Sequence, residues 1–166
     1  MAARKLKSRI ATALLAQCTL FVMSCADSVA VPSDAMMLEE FRSHRTEFER
    51  LRQMVIEDAR RWVYFSESSI SEVTPGARRD EYAKLLKLSP GLIVRTDYGG
   101  TVSFIFASNE RMAIAPGWTK GIEFIPEGKR MIGTRMDRLD ECAKLPENVF
   151  WHEIEPQWYI FCQRDE

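Results

Sequence analysis

Met37, Phe41, His44, Phe48, Leu51, Val55 and, less regularly, Trp62 recur at spacings of four, three, four, three, four and seven. At 3.6 residues per turn that series lies along one side of a helix. Arg42, Glu47, Arg50, Arg52 and Glu57 fall between its members and make the solvated side. Asp34 is placed to cap the helix, and Glu39 and Glu40 lie near its positive N-terminal end. A helix of roughly seven turns with one apolar stripe has to bury it. The stripe packs on a sheet of the same chain, or it pairs with a second copy as a coiled coil. The repeat barely reaches four heptads, so packing on a sheet is the expectation.

Further along, the period of the pattern changes. Trp62–Val73 is rich in β-formers and holds one short strand or an extended connection. Thr74-Pro75 is a helix start, Tyr82, Leu85, Leu86 and Leu88 give that short helix an apolar face, and Pro90-Gly91 ends it. From Leu92 the period is two. Leu92–Asp97 and Thr101–Ala107 flank Tyr98-Gly99-Gly100 as a hairpin, with Val102, Phe104 and Phe106 on one face. A longer loop leads to the strand within Lys120–Gly128, Met136–Leu145 forms one or two helical turns, and two aromatic runs around Glu155-Pro156-Gln157 close the chain as a last hairpin. The fold class is therefore α+β: a long N-terminal amphipathic helix and a short helix packed on an antiparallel sheet of about 4–6 strands.

The first 24 residues read differently. Arg4, Lys5, Lys7 and Arg9 precede an uncharged run from Ile10 to Met23. That is the layout of a secretory signal, and the run is too short for a bilayer core, which needs about 20 residues. Val22, Met23, Ser24 and Cys25 resemble the lipobox of bacterial lipoproteins: an aliphatic residue, a tolerant position, a small residue, then cysteine. Cys18 fits less well, because Gln17 before it is too large. The resemblance implies cleavage before Cys25, a diacylglycerol on its sulfur and acylation of its amine; several chains hold a membrane firmly where one does not. It divides the chain into a signal peptide (residues 1–24), a lipidated tether (25–33) and one domain (34–166). Ala26, where the family's sorting rule reads aspartate as a retention signal, points to the outer membrane, facing the periplasm. The other reading is an ordinary signal peptide cut at Ala26 or Ala30.

Cutting before Cys25 removes four of the 23 basic residues, leaving 19 against 24 acidic and a net charge of −5. That balance argues against a nucleic-acid partner. Membrane association falls to the lipid anchor, and an envelope protein is the expected partner. Cys142 and Cys162 remain, and an oxidising periplasm favours joining them; two separate buried thiols are the alternative. No Cys-x-x-Cys spacing, His-Glu-x-x-His helix, nucleophile elbow or phosphate loop occurs, so no metal, cofactor or catalytic residue is assigned.

Two histidines could serve an acid–base role. His44 lies on the helix stripe, where a hydrogen-bonded core histidine is the usual finding, and His152 neighbours Glu153 in a strand, where the two point to opposite faces. The aromatic cluster around Phe150 and Phe161 suits a core with cross-strand pairs. Trp118, Trp151, Trp158 and Tyr159 are the candidate partner-binding residues, since exposed Trp and Tyr anchor interfaces. The loop Ser108–Lys120, with Arg111, is a second contact region. The stretch from Phe41 to Arg60 together with the closing aromatic hairpin loosely resembles small bacterial proteins of unassigned function, which implies no activity. The expectation is a non-enzymatic envelope lipoprotein that binds another protein, of inhibitor or immunity type. A lipoprotein hydrolase using His152 or His44 and a self-associating structural lipoprotein are the alternatives.

Overall fold

Met37, Phe41, Phe48, Leu51 and Val55 are all at most 1% exposed. The helical stripe is thus covered within the chain and is not left as a seam for a second copy. The computed structural model describes residues 30–58, 63–66, 78–89, 91–97, 99–109, 117–146 and 148–164. Cys25 and the expected signal peptide, Trp62, the expected helix start at Thr74-Pro75, Tyr98 and Arg111 lie outside the described residues.

The helix is divided into α1 (Asp34–Ser43) and α2 (Arg45–Asp58). His44 between them has φ −121° and ψ 28°, although its N–H still bonds the Glu40 carbonyl and its own carbonyl accepts from Phe48. At this break His44 is half-exposed between Glu40 and Glu47, at 3.9 and 4.0 Å, so the stripe skips it. The N-cap is Ser33, whose Oγ accepts from the Met36 N–H at 3.2 Å. The Asp34 carboxylate is used elsewhere.

A short helix α3 (Arg79–Leu85) runs into a single 3-10 turn, Leu86–Leu88, and buries Tyr82, Leu85 and Leu86. Ion pairs from Arg50 to Glu81 and from Arg78 to Glu57 and Asp58 tie α3 to α2. Such surface pairs are screened by solvent and contribute little; the apolar burial beneath them, about 1.5–3 kcal/mol per large side chain, matters more.

Seven described strands form one sheet: β1 (Val63–Ser66), β2 (Ile93–Thr96), β3 (Val102–Asn109), β4 (Trp118–Phe124), β5 (Thr134–Arg135), β6 (Asn148–Glu155) and β7 (Trp158–Arg164). Their order is β1-β2-β3-β4-β7-β6-β5. Six pair antiparallel, as the sequence predicts. The two-residue β5 adds itself parallel to β6, a pairing with no sequence pattern long enough to read. The helices cover one face of this sheet. Phe48 meets Phe104 edge-on at 5.1 Å between ring centroids, and Phe41 lies 4.9 Å from Trp158. Val94, Val102, Ile122 and Ile160 fill the space between. On the same side a disulfide joins Cys142, in a one-turn 3-10 helix, to Cys162 of β7. No helix among the described residues is long and apolar enough to cross a membrane.

Candidate functional site

Side chains alternate across a strand, so each core residue on the helix side implies a neighbour on the other side. Register then lines those neighbours up. One row across the second face runs Arg95, Ser103, Glu123, Tyr159, Glu153, from β2 to β6. The next row is Ile93, Ile105, Gly121, Phe161, Trp151, ending on Arg135 of β5. A polar row thus lies beside an apolar one. Gly121 is what lets them fit: a Cβ there would stand 2.3 Å from the Phe104 carbonyl and 2.8 Å from the Phe161 ring.

The loop after β4 brings further groups to this face. Gly128 (φ 85°) turns the chain, with the Lys129 N–H bonded to the Pro126 carbonyl at 3.1 Å. Gly133 (φ 116°) passes so close to β6 that a Cβ would meet the Val149 carbonyl at 2.1 Å. Lys129, Arg130, Met131 and Ile132 are carried between these two glycines. Together with the sheet they enclose a trough of about 410 Å³. Its lining is mixed: Arg95, Asp97, Glu123, Lys129 and Arg130 are charged, and Ile125, Met131, Val149 and Phe161 are apolar. A smaller hollow of about 220 Å³ shares Arg95, Asp97, Thr101, Glu123 and Gln163 and reaches Ser103.

The electrostatics of the charged lining groups are uneven. Glu123 is 9% exposed, and its Oε1 accepts from the Ser103 hydroxyl at 2.5 Å. Burial pushes its carboxyl above the ordinary range; the Ser103 hydrogen bond and the Arg95 charge pull the other way without cancelling it. Asp97 is opposite in sense. Burial raises it, but N–H donors from Thr101 (3.0 Å) and Gly99 (2.8 Å), with Lys129 at 3.4 Å, leave it below the ordinary carboxylate range. Asp97 and Lys129 therefore satisfy each other. The Arg95 guanidinium makes no hydrogen bond or direct ion pair among the described residues.

The residues expected from the sequence are divided by the fold. Trp158 is 1% exposed and Trp118 4% exposed; both point to the helix side of the sheet. Their assignment to partner binding is corrected here: Trp158 stacks among Phe41, Phe104 and Phe124 and is unavailable to a partner. Trp151 and Tyr159 lie on the second face, half-buried and packed edge-on at 5.7 Å, with Arg135 over the Trp151 ring. The Trp151 Nε1 is buried without a hydrogen-bond partner among the described residues. Cys142 and Cys162 form the bridge described above. His152 faces the helix side opposite Ile160, with Nδ1 3.2 Å from the Met136 carbonyl, and neither it nor His44 lines the trough.

Arg95, Ser103 and Glu123 were not singled out in the sequence, although a sign of them was there. Arg95 directly follows Leu92–Val94, Ser103 separates Val102 from Phe104, and Glu123 separates Ile122 from Phe124. Each is a polar residue inside an apolar strand, and only cross-strand register reveals that the three form one row. Protein-family models, curated proteins and solved structures contain no match to this chain.

Proposed function

We propose that the chain is a membrane-anchored envelope lipoprotein whose domain is a non-enzymatic protein-binding module, of inhibitor or immunity type. Its partner docks on the second face of the sheet. The observation that carries this reading is the trough itself: about 410 Å³, lined by both charged and apolar groups, with Ile132 83% exposed on its rim. A concave apolar surface with a few placed polar groups is how proteins receive other molecules. The Cys142–Cys162 bridge supports an oxidising compartment such as the periplasm. The lipobox-like Val22–Cys25 supports a lipid tether.

The hydrolase alternative draws no support from the trough, because His44 and His152 lie elsewhere. The test is capture of C-terminally tagged protein from intact cells after brief crosslinking, with Cys25 in place. The wild type should recover one protein in near-equal amount. Ile132→Asp, on the rim, should lose it, whereas Gln53→Ala, on the exposed side of α2, should keep it. Equal recovery from all three would reject the docking face.

A further inference from the structure

The geometry points to the trough as the seat of a terminal carboxylate: it takes the C-terminus of a partner polypeptide whose last residue is apolar. The inference rests on reading this face as the binding surface and adds what is bound. Arg95 lines both hollows, and no carboxylate among the described residues neutralises it directly. Asp97 is taken by two backbone N–H groups and Lys129. Glu123 holds the Ser103 hydroxyl, and its burial favours the protonated form. A guanidinium offers a planar fork that matches a carboxylate. A protonated Glu123 can donate to that guest instead of repelling it.

The remaining features narrow the guest. Arg130 stands exposed at the rim as a second cation, so a cationic guest meets Arg95, Lys129 and Arg130 together. A wholly polar anion leaves the apolar lining of Ile125, Val149 and Phe161 unused. A carboxylate with an apolar side chain beside it satisfies both kinds of lining group, as a terminal Phe, Leu or Val does. The volume lies toward the small end for ligand sites, which run roughly 300–1,000 Å³, and suits one residue. Exposed Ile132 lies where the rest of the peptide crosses the rim.

Isothermal titration tests this on the full-length protein purified in detergent. The probes are hexapeptides ending in Phe, Leu or Val as free acids, the same peptides as C-terminal amides, and N-acetyl-phenylalanine. At least one free acid should bind, its amide at least about tenfold more weakly, the factor expected for one charge-assisted hydrogen bond. Arg95→Gln should lose a similar factor with the thermal melt retained, and Arg130→Gln a smaller one. Affinity should fall as pH rises through the ionisation of Glu123 and should stop falling in Glu123→Gln. The groups facing Glu123 are Arg95 and Asp97 at β2, Thr101 and Ser103 at β3, Tyr159 and Gln163 of β7, and Lys129 of the loop. Equal binding of acid and amide, no binding of any probe, or full affinity in both arginine variants would overturn the inference. N-acetyl-phenylalanine binding as tightly as the best peptide would overturn it in favour of a small organic acid. A partner captured through Ile132 without preference for free acids would sink this inference alone; peptide binding without a captured protein would sink the proposed function alone.

Discussion

Glu123 occupies a strand position between two core residues, Ile122 and Phe124, yet faces the trough. In the unfolded chain it titrates near the ordinary 4.5, and in the fold it keeps its proton to higher pH. Across that window folding takes up a proton, so stability falls as pH rises through it. Glu123→Gln cannot ionise. Its stability in urea melts should equal or exceed that of the wild type, with the gap opening above about pH 4.5 and growing until the wild-type carboxyl has ionised; parallel curves would contradict this. Asp97 has the opposite sign. Its contribution is present above the ordinary 3.8 and disappears as pH falls through its lowered value, so Asp97→Asn should cost stability at neutral pH and nothing in acid. Gly121→Ala tests the close approach of the two rows: its Cβ meets the Phe104 backbone, and overpacking of this kind costs about 1–3 kcal/mol in denaturant melts.

At the level of elements, the start of α1 is joined to the sheet and to the loop before the disulfide. Lys120, fully buried on β4, lies 2.7 Å from Asp34 Oδ1 as an ion pair whose angle falls short of a hydrogen bond, and its Nζ donates to the Pro32 carbonyl at 2.7 Å. Asp34 Oδ2 accepts from the Leu139 N–H at 2.6 Å, and the Asp34 N–H donates to Asp140 at 2.7 Å. Removing one member leaves a buried charge alone, so Lys120→Met should destabilise by about 3–5 kcal/mol, and adding Asp34→Leu should recover much of it. Additive losses in urea melts would mean the two residues act independently. The same elements show what the sequence discloses. Periodicity exposes the helix stripe, because five of its members pack on one sheet, and turn residues between runs of β-formers expose the two hairpins. It does not expose the break at His44, which is a matter of backbone angles, nor the Asp34–Lys120 pair, whose partners are 86 residues apart in sequence. The trough was hidden for a related reason: its polar row comes from separate strands and acquires meaning only through register.

For the molecule as a whole, the helices and disulfide belong to one face of the sheet and the trough to the other. The bridge spans 20 residues, and its loss in Cys142→Ser/Cys162→Ser should cost about 3 kcal/mol by the chain-entropy relation. It should leave affinity for the partner unchanged wherever the protein stays folded, because neither cysteine lines the trough. The proposed anchor can be tested apart from the proposed docking face. Cys25→Ala should accumulate as uncleaved or mislocalised precursor in cell fractions, and normal acylated product from that variant would reject the lipobox. The central claim is that a partner meets the second face. A photoreactive residue placed at Ile132, and in a parallel strain at Gln53 on the helix side, tests it most directly after irradiation of intact cells. The account predicts a single crosslinked species of defined size from position 132 and none from position 53. Adducts from position 53 alone, or the same adducts from both, would contradict it.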